Sequence, residues 1–225
     1  MQREEQIFLA KLYEQMEMYE EFFETMHQVA QQGLFTIEER NLYSVSIKNA
    51  IGSRRAAWRI LSSLQYKNLE KNLTEETEMK KRLIAQFLEK VEAEVKRFCG
   101  VAIEDAERLF ATSTDTENQV FYKKFKGDYL RYLAEITVDE TKPNITESCL
   151  STYNEAVSIA EKLAPTNPIR LGLALNLSVF YYEIYNCPET AMAVAKRAFD
   201  AALLLIDTLS EDEYKDATLI MQLLR

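Results

Sequence analysis

An all-α protein is predicted by three features of this chain. Apolar residues recur at helical spacing along nearly its whole length, and strand-like alternation is nearly absent. Glycine and proline, the residues that break helices, number only five and four in 225 residues, so long helices are expected. All four prolines, Pro143, Pro165, Pro168 and Pro188, fall where one helical pattern gives way to the next.

Taken in order, residues 2–16 carry Ile7, Phe8, Leu12 and Met16, and residues 19–32 carry Phe22, Phe23, Met26, Val29 and Ala30, with Gly33 placed as a C-cap. Thr36 followed by Glu39 is a capping-box pair that opens a helix through about residue 68. Thr74 followed by Thr77 and Glu78 opens another to about 111. The polar stretch 112–118 can cap the next helix, at about 118–137. Pro143 precedes a helix at about 145–163, and Pro165 and Pro168 mark the turn into one at 168–186. Pro188 starts a helix to about 207, in which residues 201–206, Ala-Ala-Leu-Leu-Leu-Ile, read as a buried segment. Ser210 followed by Glu213 caps a last helix that reaches Arg225. The sum is about nine helices, mostly antiparallel neighbours because their connections are short. No self-similarity at the spacing of a standard repeat array is visible.

Composition removes several classes of function. Hydrophobic residues are 47% and charged residues 28%, enough to fill a core. A net charge of −9 argues against nucleic acid and against an anionic membrane surface. No apolar run reaches membrane-spanning length, and the first five residues lack a signal peptide's basic start, so a cytoplasmic protein is expected. Three widely spaced cysteines, Cys99, Cys149 and Cys187, fit a reducing compartment and small buried or half-buried side chains. The single histidine, His27, cannot build a two-histidine metal site, no nucleophile has a placed partner, and the glycines are too scattered for a phosphate loop. No catalytic activity, no metal and no cofactor are expected.

Two helical stripes of cations stand out against this acidity. In the helix at 36–68, Tyr43, Ile47, Ala50, Ile51, Trp58 and Leu61 form an apolar face, and Asn41, Val45, Lys48, Gly52, Arg55 and Arg59 a second one. On this helix alone, a solvated basic stripe with a packing glycine is the plainer reading. In the helix at 118–137, Lys124, Asp128, Arg131 and Glu135 share one stripe. Asp128 and Glu135 can hold the Arg131 guanidinium so that its remaining N–H groups face an anion, with Tyr132 adding a hydroxyl. Two arginines, a lysine and a tyrosine match a phosphoserine, which carries about −1.5 to −2 charge. The helix at 168–186 gathers Gly172, Leu175, Asn176, Val179 and Glu183 within about a third of a turn. The apolar pair can take peptide side chains and Asn176 a peptide backbone, although the same pattern is that of core positions with a polar rim.

Four stretches resemble the 14-3-3 family of phosphoserine- and phosphothreonine-binding adaptors. They are Arg-Asn-Leu-Tyr-Ser-Val-Ser-Ile-Lys-Asn-Ala-Ile-Gly-Ser-Arg-Arg-Ala-Ala-Trp-Arg-Ile-Leu-Ser-Ser (40–63), Val-Phe-Tyr-Lys-Lys-Phe-Lys-Gly-Asp-Tyr-Leu-Arg-Tyr-Leu-Ala-Glu (120–135), Pro-Thr-Asn-Pro-Ile-Arg-Leu-Gly-Leu-Ala-Leu-Asn-Leu-Ser-Val-Phe-Tyr-Tyr-Glu-Ile (165–184) and Tyr-Lys-Asp-Ala-Thr-Leu-Ile-Met-Gln-Leu-Leu-Arg (214–225). The resemblance covers nearly the whole chain and is weaker at 65–82 and 100–118. It implies one domain over 1–225, a cup-shaped protomer of nine helices with an amphipathic groove. Dimerisation would use about 1–33 and 58–94, and the groove 36–63 and 118–225. The phosphate would fall on Lys48, Arg55, Arg131 and Tyr132, supported by Asp128 and Glu135. The peptide would fall on Lys124, Leu175, Asn176, Val179, Glu183, Leu219, Ile220 and Leu223. The implied function is signal transduction without catalysis: holding a phosphorylated client and changing its conformation, location or interactions. The implied partners are phosphorylated clients and a second protomer, in a homodimer or a heterodimer with a paralogue.

At the implied dimer seam, formed by Leu12, Tyr13, Met16, Met18, Glu21, Phe87, Lys90 and Glu94, the chain departs from the family pattern. Met18 stands where an arginine is common, Tyr13 and Met16 replace small residues, and Phe87 replaces a tyrosine. Ala57 takes the place of a regulatory serine. The sequence given ends at Arg225, before the positions of a family asparagine and tryptophan. The rival reading of the same helices is a tetratricopeptide-like scaffold that binds peptides without needing phosphate.

Overall fold

The computed structural model describes residues 2–69 and 74–225, and every regular element within them is a helix. Nine α-helices follow in the order α1 (Arg3–Gln15), α2 (Tyr19–Ala30), α3 (Ile37–Leu69), α4 (Glu75–Thr112), α5 (Thr116–Ile136), α6 (Lys142–Ala160), α7 (Pro168–Glu183), α8 (Pro188–Leu203) and α9 (Glu211–Leu224). A single 3-10 turn, Ile206–Thr208, separates the last two. Among the described residues the all-α expectation holds. Residues 70–73, part of the 58–94 stretch expected at a dimer seam, lie outside the described residues.

The starts of the helices are where local chemistry puts them. Glu39 donates its N–H to Thr36 Oγ1 at 3.2 Å, and Thr36 returns its own to Glu39 Oε2 at 2.8 Å. The Thr77 N–H reaches Thr74 Oγ1 at 3.2 Å, the Asn118 N–H reaches Asp115 at 2.9 Å, and Ser210 and Glu213 form a capping box. Each satisfies helix-end donors that would otherwise lack partners.

Several boundaries differ from the sequence reading, three of them instructively. α2 ends at Ala30, and Gly33, with φ of 138°, turns the chain beyond it, a conformation that favours glycine. α6 begins at Lys142, with Pro143 inside its first turn, where a missing N–H costs nothing. α8 stops at Leu203, and Leu203, Leu204 and Leu205 are all exposed, Leu204 by 84%. The segment 201–206 is therefore not a buried helix. α8 buries a narrow stripe containing Ala191 and Ala202, and the chain leaves it through the 3-10 turn, so the leucines point outward.

The chain falls into two compact units, Met1–Asp105 and Ala106–Arg225. In the first, α1 packs on α2 and α3, and α2 on α3, around Phe22, Phe23, Met26, Ile47 and Phe98. Asp105 of α4 is buried and accepts a 2.7 Å hydrogen bond from the Tyr43 hydroxyl of α3. His27 Nδ1 of α2 lies 2.7 Å from the same carboxylate oxygen. Arg54 of α3 bonds Glu94 through Nε at 2.6 Å and Glu20 through Nη2 at 2.9 Å. In the second unit α5 packs on α6, α7 packs on α8 and α9, and α7 also meets α5 and α6. Leu171, Ala202, Ile206, Ala217, Met221 and Leu224 form the core shared by α7, α8 and α9.

The first unit carries a pH-dependent clamp. Arg3 of α1 holds Glu39 of α3 by two parallel hydrogen bonds of 2.8 Å, and Glu39 is only 4% exposed. The hydrogen bond from Arg3 holds the Glu39 carboxyl below its ordinary range, against the opposing effect of burial. A carboxyl depressed in the folded state stabilises the fold above its unfolded pKa and stops doing so as pH falls through the folded value. Arg3→Ala should cost about 1.5–3 kcal/mol at neutral pH, the range for hydrogen bonds to charged groups. That gap should begin to narrow below about pH 4, where the unfolded carboxyl protonates, and close only once pH has fallen through the lower folded value. Urea denaturation of both proteins across pH checks this, and a pH-independent gap would mean that the clamp is not ionic.

Candidate functional site

A buried polar cluster of the second unit is built around Asp128, in the middle of α5. Its carboxylate is buried and accepts three hydrogen bonds of 2.7 Å. Oδ2 accepts from Lys124 Nζ, one turn earlier on the same helix. Oδ1 accepts from the Tyr153 hydroxyl of α6 and from Asn176 Nδ2 of α7. A buried carboxylate is stable only when its lone pairs are matched in this way. The donated amide of Asn176 leaves its carbonyl oxygen for another donor.

Tyr153 reaches Asp128 because of a glycine. A Cβ at Gly127 would sit 2.7 Å from Tyr153 Cε1 and 2.8 Å from Cδ1, closer than side chains tolerate, so the ring lies directly on the α5 backbone. Beside it the Cys149 thiol donates to the Gly127 carbonyl at 3.3 Å, and burial pushes its pKa up to about 12, which makes it inert. Sequence reasoning missed Gly127, Tyr153 and Cys149. The available signal was a tyrosine on the otherwise apolar stripe of α6, whose hydroxyl must find a partner when buried.

Arg131, one turn after Asp128, is 7% exposed. Its guanidinium carbon stands 4.7 Å from the centre of the Tyr132 ring, and Nη1 is 3.6 Å from Glu183 of α7. Nε is buried with no hydrogen-bond partner among the described residues. Burial opposes the charge, but Tyr153, Asp128 and Tyr132 outweigh it and Arg131 stays a cation. The sequence had Asp128 and Glu135 gripping this guanidinium. The oxygens of Asp128 accept from Lys124, Tyr153 and Asn176, its charge still acts on Arg131, and Arg131 also lies 3.6 Å from Glu183. Glu135 is half-buried on α5.

The remaining expected residues divide clearly. Lys124, Asn176 and Glu183 join Asp128 and Arg131, and the Lys124 stem passes over Gly172, whose absent Cβ would be 3.5 Å from Lys124 Cε. Leu175 and Ile220 pack against the α7–α8–α9 core, Val179 is half-buried, and Leu219 and Leu223 are exposed by 65% and 67%. In the first unit, Lys48 is exposed and Arg55 half-buried on α3. A Cβ at Gly52 between them would meet nothing within 4 Å, so this glycine is not there for packing. Leu12, Met16, Met18 and Phe87 are exposed apolar side chains, Tyr13 is half-buried, Glu21 and Lys90 are exposed, and Glu94 is bound by Arg54.

Comparison with known proteins places these features in a family. The family model described as 14-3-3 protein matches residues 9–225. The chain is 49% identical to 14-3-3 protein 2 of Entamoeba histolytica over 225 residues, covering 99% of this chain and 93% of that protein. It is 50% identical to 14-3-3 protein 9 of Solanum lycopersicum over 227 residues, covering 100% and 85%. It is 48% identical to human 14-3-3 protein theta over 228 residues, covering 100% and 91%. The chain belongs to the 14-3-3 family.

Two glycines test the closeness of Tyr153 to α5. Gly→Ala inside a helix ordinarily stabilises by about 1 kcal/mol. At Gly100 of α4 a Cβ would meet nothing within 4 Å, so Gly100→Ala should show this gain. At Gly127 overpacking against Tyr153 costs about 1–3 kcal/mol and should reverse the sign. Equal gains in urea denaturation would show that the ring yields freely and that Gly127 places nothing.

Proposed function

We propose that this member of the 14-3-3 family is a non-catalytic adaptor that binds phosphoserine or phosphothreonine in client proteins and acts in the cytoplasm on their conformation, location or interactions. The family supports an adaptor role in general. The observation that carries the finer reading is Arg131, a buried cation with an unused Nε–H, beside an aspartate that steadies its charge without taking its hydrogens. On this reading the phosphate is taken by Lys48, Arg55, Arg131 and Tyr132. The client's chain lies along Lys124, Leu175, Asn176, Val179, Glu183, Leu219, Ile220 and Leu223, with Asp128 and Glu135 in support. The exposed leucines of α9 take apolar client side chains, and the free oxygen of Asn176 accepts a backbone N–H. Units Met1–Asp105 and Ala106–Arg225 act together as one domain. Among the described residues no helix is long and apolar enough to cross a membrane.

The same reading makes the protein a dimer through about 1–33 and 58–94. Phe8, Met16, Ile60, Leu83 and Phe87 are all exposed in the first unit, by 42–65%. So many uncovered apolar side chains on one unit favour burial against a second copy or a paralogue. Arg54 already holds Glu94, so the missing arginine at Met18 removes no essential partner.

A phosphoserine peptide with an upstream arginine should bind at micromolar affinity or tighter, about −8 kcal/mol. Its unphosphorylated twin should be far weaker, because burying the cations without a counter-charge is costly. Arg131→Ala should cost about 1.5–3 kcal/mol of binding, and Lys48→Glu more, since it adds repulsion. Calorimetry giving equal affinity for the two peptides would favour the phosphate-independent scaffold instead.

Assembly is tested separately. Sedimentation at tens of micromolar should show a dimer, and Met16→Glu with Phe87→Glu should shift it to monomer. A monomeric parent protein would remove the seam from the proposal without touching the phosphate reading.

A further inference from the structure

In the second unit, the end of α6 and the facing sides of α7 and α8 enclose a cavity of about 300 Å³ that the phosphopeptide reading does not use. Its walls are apolar and mostly small, with Ala160, Ala174, Leu177, Val194 and Ala198 among them. Three charged side chains line it, Glu161, Arg170 and Arg197, leaving one net positive charge in a chain whose total is −9. A pocket of this size, apolar with a few convergent polar groups, has the make-up of a small-molecule site.

The two arginines differ in a useful way. Arg170 is half-buried and anchored, since its Nη1 donates to the carbonyls of Leu163 at 2.5 Å and Glu161 at 3.5 Å as α6 ends. Its Nε and Nη2 have no partner among the described residues. Arg197 is exposed and makes no hydrogen bond or ion pair among the described residues. One guanidinium is thus fixed in place and the other can swing to meet a ligand. Planar guanidinium groups match a carboxylate with paired, charge-assisted hydrogen bonds.

We propose that this cavity binds a small aliphatic monocarboxylate, with its tail among the alanines of α7 and α8 and its carboxylate on Arg170 and Arg197. The volume sets the tail length: at the ~30 Å³ that one water occupies in the liquid, 300 Å³ holds about ten non-hydrogen atoms. The charge sets the head. A single negative charge balances the site, whereas a second ionised group would be forced against apolar wall at a large desolvation cost. A neutral lipid would leave Arg197 and the Nε and Nη2 of Arg170 unmatched.

Octanoate, with about ten non-hydrogen atoms, is the probe, titrated into the full chain by calorimetry with octan-1-ol as its neutral twin. Saturable 1:1 binding is expected with a Kd below about 1 mM, and octanol should bind at least about tenfold more weakly. Ala174→Leu, which fills the cavity, should abolish binding. Arg197→Glu, at an exposed position that does not threaten folding, should weaken it at least about tenfold. Circular dichroism confirms that each variant is folded, and phosphopeptide affinity should be unchanged in both. The proposal is overturned if octanoate does not saturate by about 10 mM, if octanol binds equally well, or if Arg197→Glu leaves the affinity unchanged. Displacement of octanoate by a phosphopeptide would also overturn it, because the acid would then lie in the peptide site.

Discussion

The second unit depends on satisfying one buried carboxylate. Asp128 sits in the middle of α5, where an unpaired charge would cost several kcal/mol. Its three donors come from three helices: Lys124 of α5, Tyr153 of α6 and Asn176 of α7. Each bond therefore fixes more than a side chain. It sets how α6 and α7 lie against α5, and it demands the glycine that lets Tyr153 approach. Apolar packing alone would allow these helices to slide, because it is not directional. Hydrogen bonds of 2.7 Å to a single carboxylate do not.

The first unit uses the same device. Asp105 is buried in α4 and faces Tyr43 of α3 and His27 of α2. In both units a short acidic side chain, which loses little rotamer freedom on burial, joins a tyrosine hydroxyl from a second helix to a nitrogen from a third. The difference lies in what stands beside the aspartate. Asp128 has Arg131 on the next turn, and with its own oxygens occupied it acts on that cation through charge alone.

What could be read in the sequence, and what could not, follows from the range of each interaction. Thr36 with Glu39, Asp115 with Asn118 and Ser210 with Glu213 act within three residues, so the helix starts were legible before any tertiary structure. The shared stripe of Lys124 and Asp128, one turn apart, was legible for the same reason, although the reading gave Asp128 to Arg131 and not to Lys124. The contact of Arg131 with Glu183 was not legible, because Glu183 lies on another helix and no spacing along α5 points to it. Leu203, Leu204 and Leu205 misled because an apolar run does not reveal where a helix stops, and the 3-10 turn after α8 faces them outward. Tyr153 carried a local sign, a hydroxyl on an apolar stripe, but its meeting with Gly127 is a contact between helices that no local pattern identifies.

On the proposed reading, the loose contact between Arg131 and Glu183 determines which anions the site accepts. At 3.6 Å it is longer than a hydrogen bond, and Glu183 is exposed, so it can swing into water at little cost. A client aspartate or glutamate arriving at Arg131 would exchange one carboxylate for another and gain almost nothing. A phosphate brings about −1.5 to −2 charge and three acceptor oxygens, more than a single carboxylate offers the Arg131 cation. The free protein therefore holds its arginine in a state that a single carboxylate only half satisfies. Selectivity for phosphate over acidic side chains then follows from this resident competitor, together with the cations, and a phosphate-mimicking glutamate in a client would be a poor substitute for the modified residue.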